Sequence, residues 1–71
     1  MTEYTIIIEE GENSYSAYCP DLSGVVAAGE TEKETIELMK EAIEFHIQGL
    51  KEDQLPIPEP SISARCVDVV V

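Results

Sequence analysis

The chain has 71 residues, which allows one small core and makes added surface from association valuable. Fifteen acidic residues against four basic ones give a formal charge of −11. That charge repels nucleic acid and anionic lipid and attracts cationic proteins, so direct nucleic-acid or membrane binding is not expected. No apolar run is long enough to span a bilayer, and there is no basic, apolar leader, so a cytoplasmic setting is expected.

Tyr4 to Glu9 is β-branched and apolar on both faces, which predicts an interior strand. Glu10-Gly11-Glu12-Asn13 supplies hairpin chemistry. Ser14 to Cys19 alternates as a second strand until Pro20 ends it, because proline cannot donate to a ladder. Asp21, Ser23 and Gly24 are turn residues, and Val25 to Ala28 forms a third strand. Thr31 followed by Glu34 is a capping-box signature for a helix start.

From Glu32 to about Gln48, Ile36, Met39, Ile43, Ile47 and Leu50 recur at three- and four-residue spacing and share one helical face. Glu34, Glu37, Glu41, Glu44 and Gln48 form a parallel acidic stripe. Leu38, Ala42 and Phe45 widen the apolar face beyond what one sheet needs, which is expected either of a second contact surface or of a curved sheet wrapping a broad helix face. Gly49 is placed to stop the helix, with Leu50 and Lys51 able to carry one more turn. Leu55-Pro56-Ile57-Pro58-Glu59-Pro60 reads as an extended strap. Ser61 to Val71 reads as a final strand returning parallel to the first and beside it. The expected class is therefore α+β, in the order β-β-β-α-β, with one helix on one face of a four-stranded sheet and a single domain over residues 1–71.

Catalytic signals are lacking. His46 is the single histidine, with no nucleophile pattern or metal-ligand spacing around it, and reads as a core or boundary residue. No phosphate-cradling loop, nucleophile elbow or dinucleotide fingerprint is present. The helical glutamates read as a solvated face, so neither a metal nor a cofactor is expected. Cys19 and Cys66 read as small core residues, and a disulfide would need the fold to bring them together.

Three separated motifs carry a resemblance. Tyr15-Ser16-Ala17-Tyr18-Cys19-Pro20-Asp21-Leu22-Ser23-Gly24, then Gly29-Glu30-Thr31 leading to Glu41-Ala42-Ile43, then Ile57-Pro58-Glu59-Pro60-Ser61, resemble the HicB-like antitoxin family. The resemblance implies a partial RNase-H-like fold without a working nuclease centre. It also implies a non-enzymatic module that neutralises a small basic RNA-cleaving toxin, HicA-like, by binding it and blocking its active site. Many members also carry a DNA-reading domain, which is not expected here after Val71; Val25 stands where the family often has cysteine.

On that reading, Asp21, Leu22, Glu37, Glu41 and Glu44 are the expected partner contacts. The alternative is a stand-alone homo-oligomeric domain that buries Leu38, Phe45, Val69, Val70 and Val71 between subunits. A residual metal-dependent nuclease is the third reading, and it requires several carboxylates converging on one cation.

Overall fold

The computed structural model describes residues 2–71. Three strands, β1 (Ile7–Glu10), β2 (Tyr15–Tyr18) and β3 (Val26–Gly29), precede one helix, α1 (Glu32–Glu52). The strands form an antiparallel meander in the order β1-β2-β3. Ile8, Ala17 and Ala27 stand in one cross-strand row, and Ile7, Tyr18 and Val26 in the next. Because side chains alternate across a sheet, the first row faces the helix and the second faces away from it.

Each join has a local cause. Gly11 N–H donates to the Ser14 carbonyl at 2.7 Å and closes the first hairpin. Between β2 and β3, Leu22 N–H donates to the Cys19 carbonyl and Val25 N–H to the Leu22 carbonyl, while Gly24 takes φ 83°, a conformation that favours glycine. This folded loop drives Leu22 into the centre of the molecule, where it is 1 % exposed. Leu22 packs there with Ala17, Cys19, Val25 and Met39, flanked by Tyr4, Ile6, Ile8, Ala27, Ala42 and Ile43.

The helix start matches the sequence. The Thr31 side chain accepts from Glu34 N–H at 3.0 Å, and Thr35 Oγ1 donates to the Thr31 carbonyl at 2.8 Å. Thr35 is fully buried, and a Cβ at Gly29 would come within 2.8 Å of its hydroxyl. Glycine at that position therefore lets the first helical turn close down on β3.

The helix stop differs from expectation. Gly49 lies inside α1, and the end falls at Asp53 and Gln54. Gln54 N–H donates to the Lys51 carbonyl and Leu55 N–H to the Leu50 carbonyl, the paired bonds of a Schellman cap, with Gln54 at φ 56° in the left-handed region. The capping bonds that close at Gln54 outweigh the tendency of an isolated glycine to break the helix.

Among the described residues the expected fourth strand is absent, and with it the four-stranded, partial RNase-H-like arrangement: the class is α+β, but the sheet has three strands. Segment 55–71 is extended and exposed, and no ladder joins it to β1. Pro56, Pro58 and Pro60 remove backbone donors along the approach. The side chains of Asp21 and Thr5 then hold Ser61 and Ile62 in place of a backbone ladder. β1 is accordingly an edge strand rather than an interior one, and β2 is central. Cys19 is buried as expected, whereas Cys66 lies exposed in the segment, and both are free thiols.

A non-glycine residue in the left-handed region costs roughly 1 kcal/mol. Gln54→Gly should therefore raise unfolding stability by about that amount in urea titration. An unchanged or lowered midpoint would show that Gln54 is not held at φ 56°.

Candidate protein-docking face

The helix packs chiefly on β3 and β2, so its opposite side is free. Helical spacing places Glu34, Leu38, Glu41, Phe45 and Gln48 along one outward line, with Glu37 and Glu44 directly beside it. Phe45 is 80 % exposed at the middle of this acidic face, and Leu38 is also exposed. Phe45 further lines a shallow groove of about 440 Å³ with Val26, Ala42, His46 and Leu50. A large exposed aromatic side chain on a helix face that also carries glutamates has the chemistry of an interface anchor with a charged rim.

The expected contacts thus separate in space. Glu37, Glu41 and Glu44 are exposed together on the helix, next to Leu38 and Phe45. Leu22 is in the core. Asp21 is occupied within the chain. One of its carboxylate oxygens accepts from Ser61 Oγ at 2.9 Å, and the other accepts from Ser61 N–H at 3.2 Å and Ile62 N–H at 3.3 Å. Tyr4 donates from its hydroxyl to the Pro58 carbonyl, and Thr5 Oγ1 donates to the Ile62 carbonyl at 2.9 Å. The segment is therefore held at three points: Pro58 by Tyr4, Ser61 by Asp21, and Ile62 by both Asp21 and Thr5. Nothing in the spacing of Asp21 signals this role; the short Pro-Ser step that delivers Ser61 is the one local hint.

Partial desolvation pushes the Asp21 carboxyl up, but the bonds from the Ser61 side chain, Ser61 backbone and Ile62 backbone together outweigh it and hold the group below its usual value of 3.8. Tyr15 is raised because its hydroxyl donates to the Glu10 carboxylate at 3.1 Å and faces that negative charge. Among the described residues no three His, Cys, Asp or Glu side chains gather closely enough to hold a metal ion. No helix among them is long and apolar enough to cross a membrane.

The fold is thus a small α+β scaffold whose helix carries an acidic outer face with an exposed aromatic side chain. The comparisons then place it: the family described as "HicB_like antitoxin of bacterial toxin-antitoxin system" matches residues 4–68, and the chain belongs to that family. It is 33 % identical over 69 residues to a UPF0150 protein of Synechocystis sp., covering 96 % of this chain and 87 % of that one. It is 41 % identical over 49 residues to a UPF0150 protein of Helicobacter pylori, covering 69 % of this chain and 68 % of that one. An uncharacterized 14.9 kDa protein of Haemophilus phage HP1 is 41 % identical over 56 residues, which is 79 % of this chain and 42 % of the phage protein. No solved structure matches.

Since the Asp21 carboxyl lies below 3.8, its hold on segment 61–62 is complete above that pH and is lost as pH falls through the lower folded value. The amide resonances of Ser61 and Ile62 should titrate together with one midpoint below 3.8, and Asp21→Asn should abolish the transition. A midpoint at or above 3.8 would contradict the three-bond geometry.

Proposed function

We propose that this chain is the antitoxin of a toxin pair, a non-enzymatic inhibitor that binds a small basic RNA-cleaving protein of the HicA kind in the cytoplasm and covers its active site. The supporting observation is Phe45, 80 % exposed one turn beyond Glu41 on the free side of α1. The family supports an antitoxin role. The charge of −11 supports a cationic partner, since such a field speeds encounter and excludes RNA from the same surface. Glu37, Glu41 and Glu44 are the proposed rim, with Leu38 and Phe45 as anchors. Asp21 acts on the chain's own segment, and Leu22 supports the scaffold from inside.

Self-association through Leu38 and Phe45 is the weaker use of this face. A two-fold contact there would set the glutamates of one copy against those of the other, and like charges facing across an interface are costly. A basic partner turns the same glutamates into attraction.

Mixing the chain with the basic product of an adjacent reading frame should give a complex that loses RNA-cleaving activity. Its affinity should fall by roughly tenfold or more between low salt and about 0.5 M, as screening shortens the reach of the charges. Phe45→Ala should weaken it by at least about tenfold, and the double variant Glu41→Lys, Glu44→Lys should slow association most. Unimpaired binding by both variants, or a complex indifferent to salt, would refute the helix face as the docking surface.

A further inference from the structure

β3 closes the sheet on the side away from β1, and its outer edge is open. It pairs with β2 alone, and among the described residues no other backbone bond reaches residues 26–29. Which groups face outward follows from the ladder. Cys19 N–H donates to the Val25 carbonyl, so that pair is a bonded one. Opposed residues alternate between bonded and unbonded pairs, so Ala27 and Gly29 also turn toward β2, while Val26 and Ala28, opposite Tyr18 and Ser16, turn their N–H and C=O groups outward. The edge therefore offers two donors and two acceptors over about 13 Å. An unpaired row of this kind is a template for an added strand.

Apolar side chains lie exposed on both faces next to this edge. On the face away from the helix, Val26 is 67 % exposed and its neighbour Tyr18 is exposed beside it. On the helix side, Leu38, Ala42 and Phe45 follow one another at helical spacing, and Ala42 and Phe45 share a groove with Val26. A helix laid on either face would cover one of these groups. An added strand, whose side chains alternate between the two faces, covers both.

Charge identifies the occupant. Lys33, Lys40 and Lys51 are three of the four basic residues of the chain, and they stand about two and about three turns apart, so they share one line along α1. Lys40 lines the groove on the β1 side, which puts that line on the flank away from β3. The groove on the β3 side has no lysine or arginine in its lining and carries Asp53. Glu34 and Glu41 are exposed beside Leu38 and Phe45, and Glu30 is exposed just beyond the end of β3. The helix thus keeps its cations on one flank and borders the open edge with carboxylates. A second copy presenting the same edge would set glutamates against glutamates, whereas a cationic strand meets attraction.

We infer, on the reading that the partner is a small basic protein, that it docks by adding one of its own strands to the Val26–Gly29 edge. Its backbone pairs with the outward groups of Val26 and Ala28. Apolar side chains at alternate positions cover Phe45 and Leu38 on one face and Val26 on the other, and flanking lysines or arginines meet Glu30, Glu34 and Glu41. Four residues give few backbone bonds, so the bonds set register while Phe45 and the carboxylates select the strand.

Amide hydrogen exchange on the full, isotope-labelled chain tests the inference, measured alone and with the basic product of an adjacent reading frame. Alone, the Val26 and Ala28 amides should exchange fast while Ala27 and Gly29 are protected. In the complex, Val26 and Ala28 should slow by about tenfold or more. Ala28→Pro removes an outward donor at an edge position where proline is tolerated, so it should weaken the complex by about tenfold or more and leave the urea midpoint of the free chain nearly unchanged. The exchange measurement uses the unaltered chain and decides the question whatever the variant does to the fold. A complex that forms without slowing Val26 and Ala28, or that a folded Ala28→Pro chain binds undiminished, would overturn strand addition and leave the antitoxin reading standing. Absence of any complex would overturn both. Protection of the two amides in the chain alone, rising with its own concentration, would give the edge to a second copy and overturn the inference as well.

Discussion

The constraint behind this molecule is that it holds more apolar surface than one small body can bury. Five apolar side chains are buried among the described residues, while twelve large ones are exposed, including Val26, Ile36, Leu38, Phe45 and four valines near the end of the sequence. Scattered exposed hydrophobes are ordinary, but here they collect along the two flanks of α1 and on segment 63–71. A meander of three four-residue strands, with one helix on one face, has nowhere to put them. The formal charge of −11 adds mutual repulsion between copies of such a surface.

Within that limit, the loop from Cys19 to Val25 sets most of the geometry. Its inner side is Leu22, around which the core assembles; its outer side is Asp21, which captures Ser61 and Ile62. One turn thus joins the core to the segment that leaves it. The carboxylate captures through three donors, a stronger arrangement than a neutral acceptor would give. It directs the chain past β1 at Thr5 rather than along it.

Much of this was legible in the residues. β-branched alternation, Pro20, Gly24 and the Thr31–Glu34 pair locate three strands and the helix start, because each works through neighbours in sequence. The acidic stripe and the outlying Phe45 follow from helical spacing alone. What failed were features decided at long range or by cooperation. Residues 61–71 have strand composition, yet a strand requires a ladder, and Asp21, forty positions away, holds the segment elsewhere. Gly49 has the composition of a helix stop, yet the pair of bonds at Gln54 and Leu55 closes the helix one turn later. Leu22 looks like a loop residue, and only the closed turn shows that it points inward.

If this surplus of apolar surface is kept for a basic partner, then the stability of the chain rises with the concentration of that partner. Equilibrium urea unfolding with the basic product of an adjacent reading frame added over about a hundredfold range measures that dependence directly. The midpoint should climb steadily with partner concentration. A midpoint that stays fixed across the range would mean that five buried apolar residues suffice, and that the exposed ones are not held for that partner.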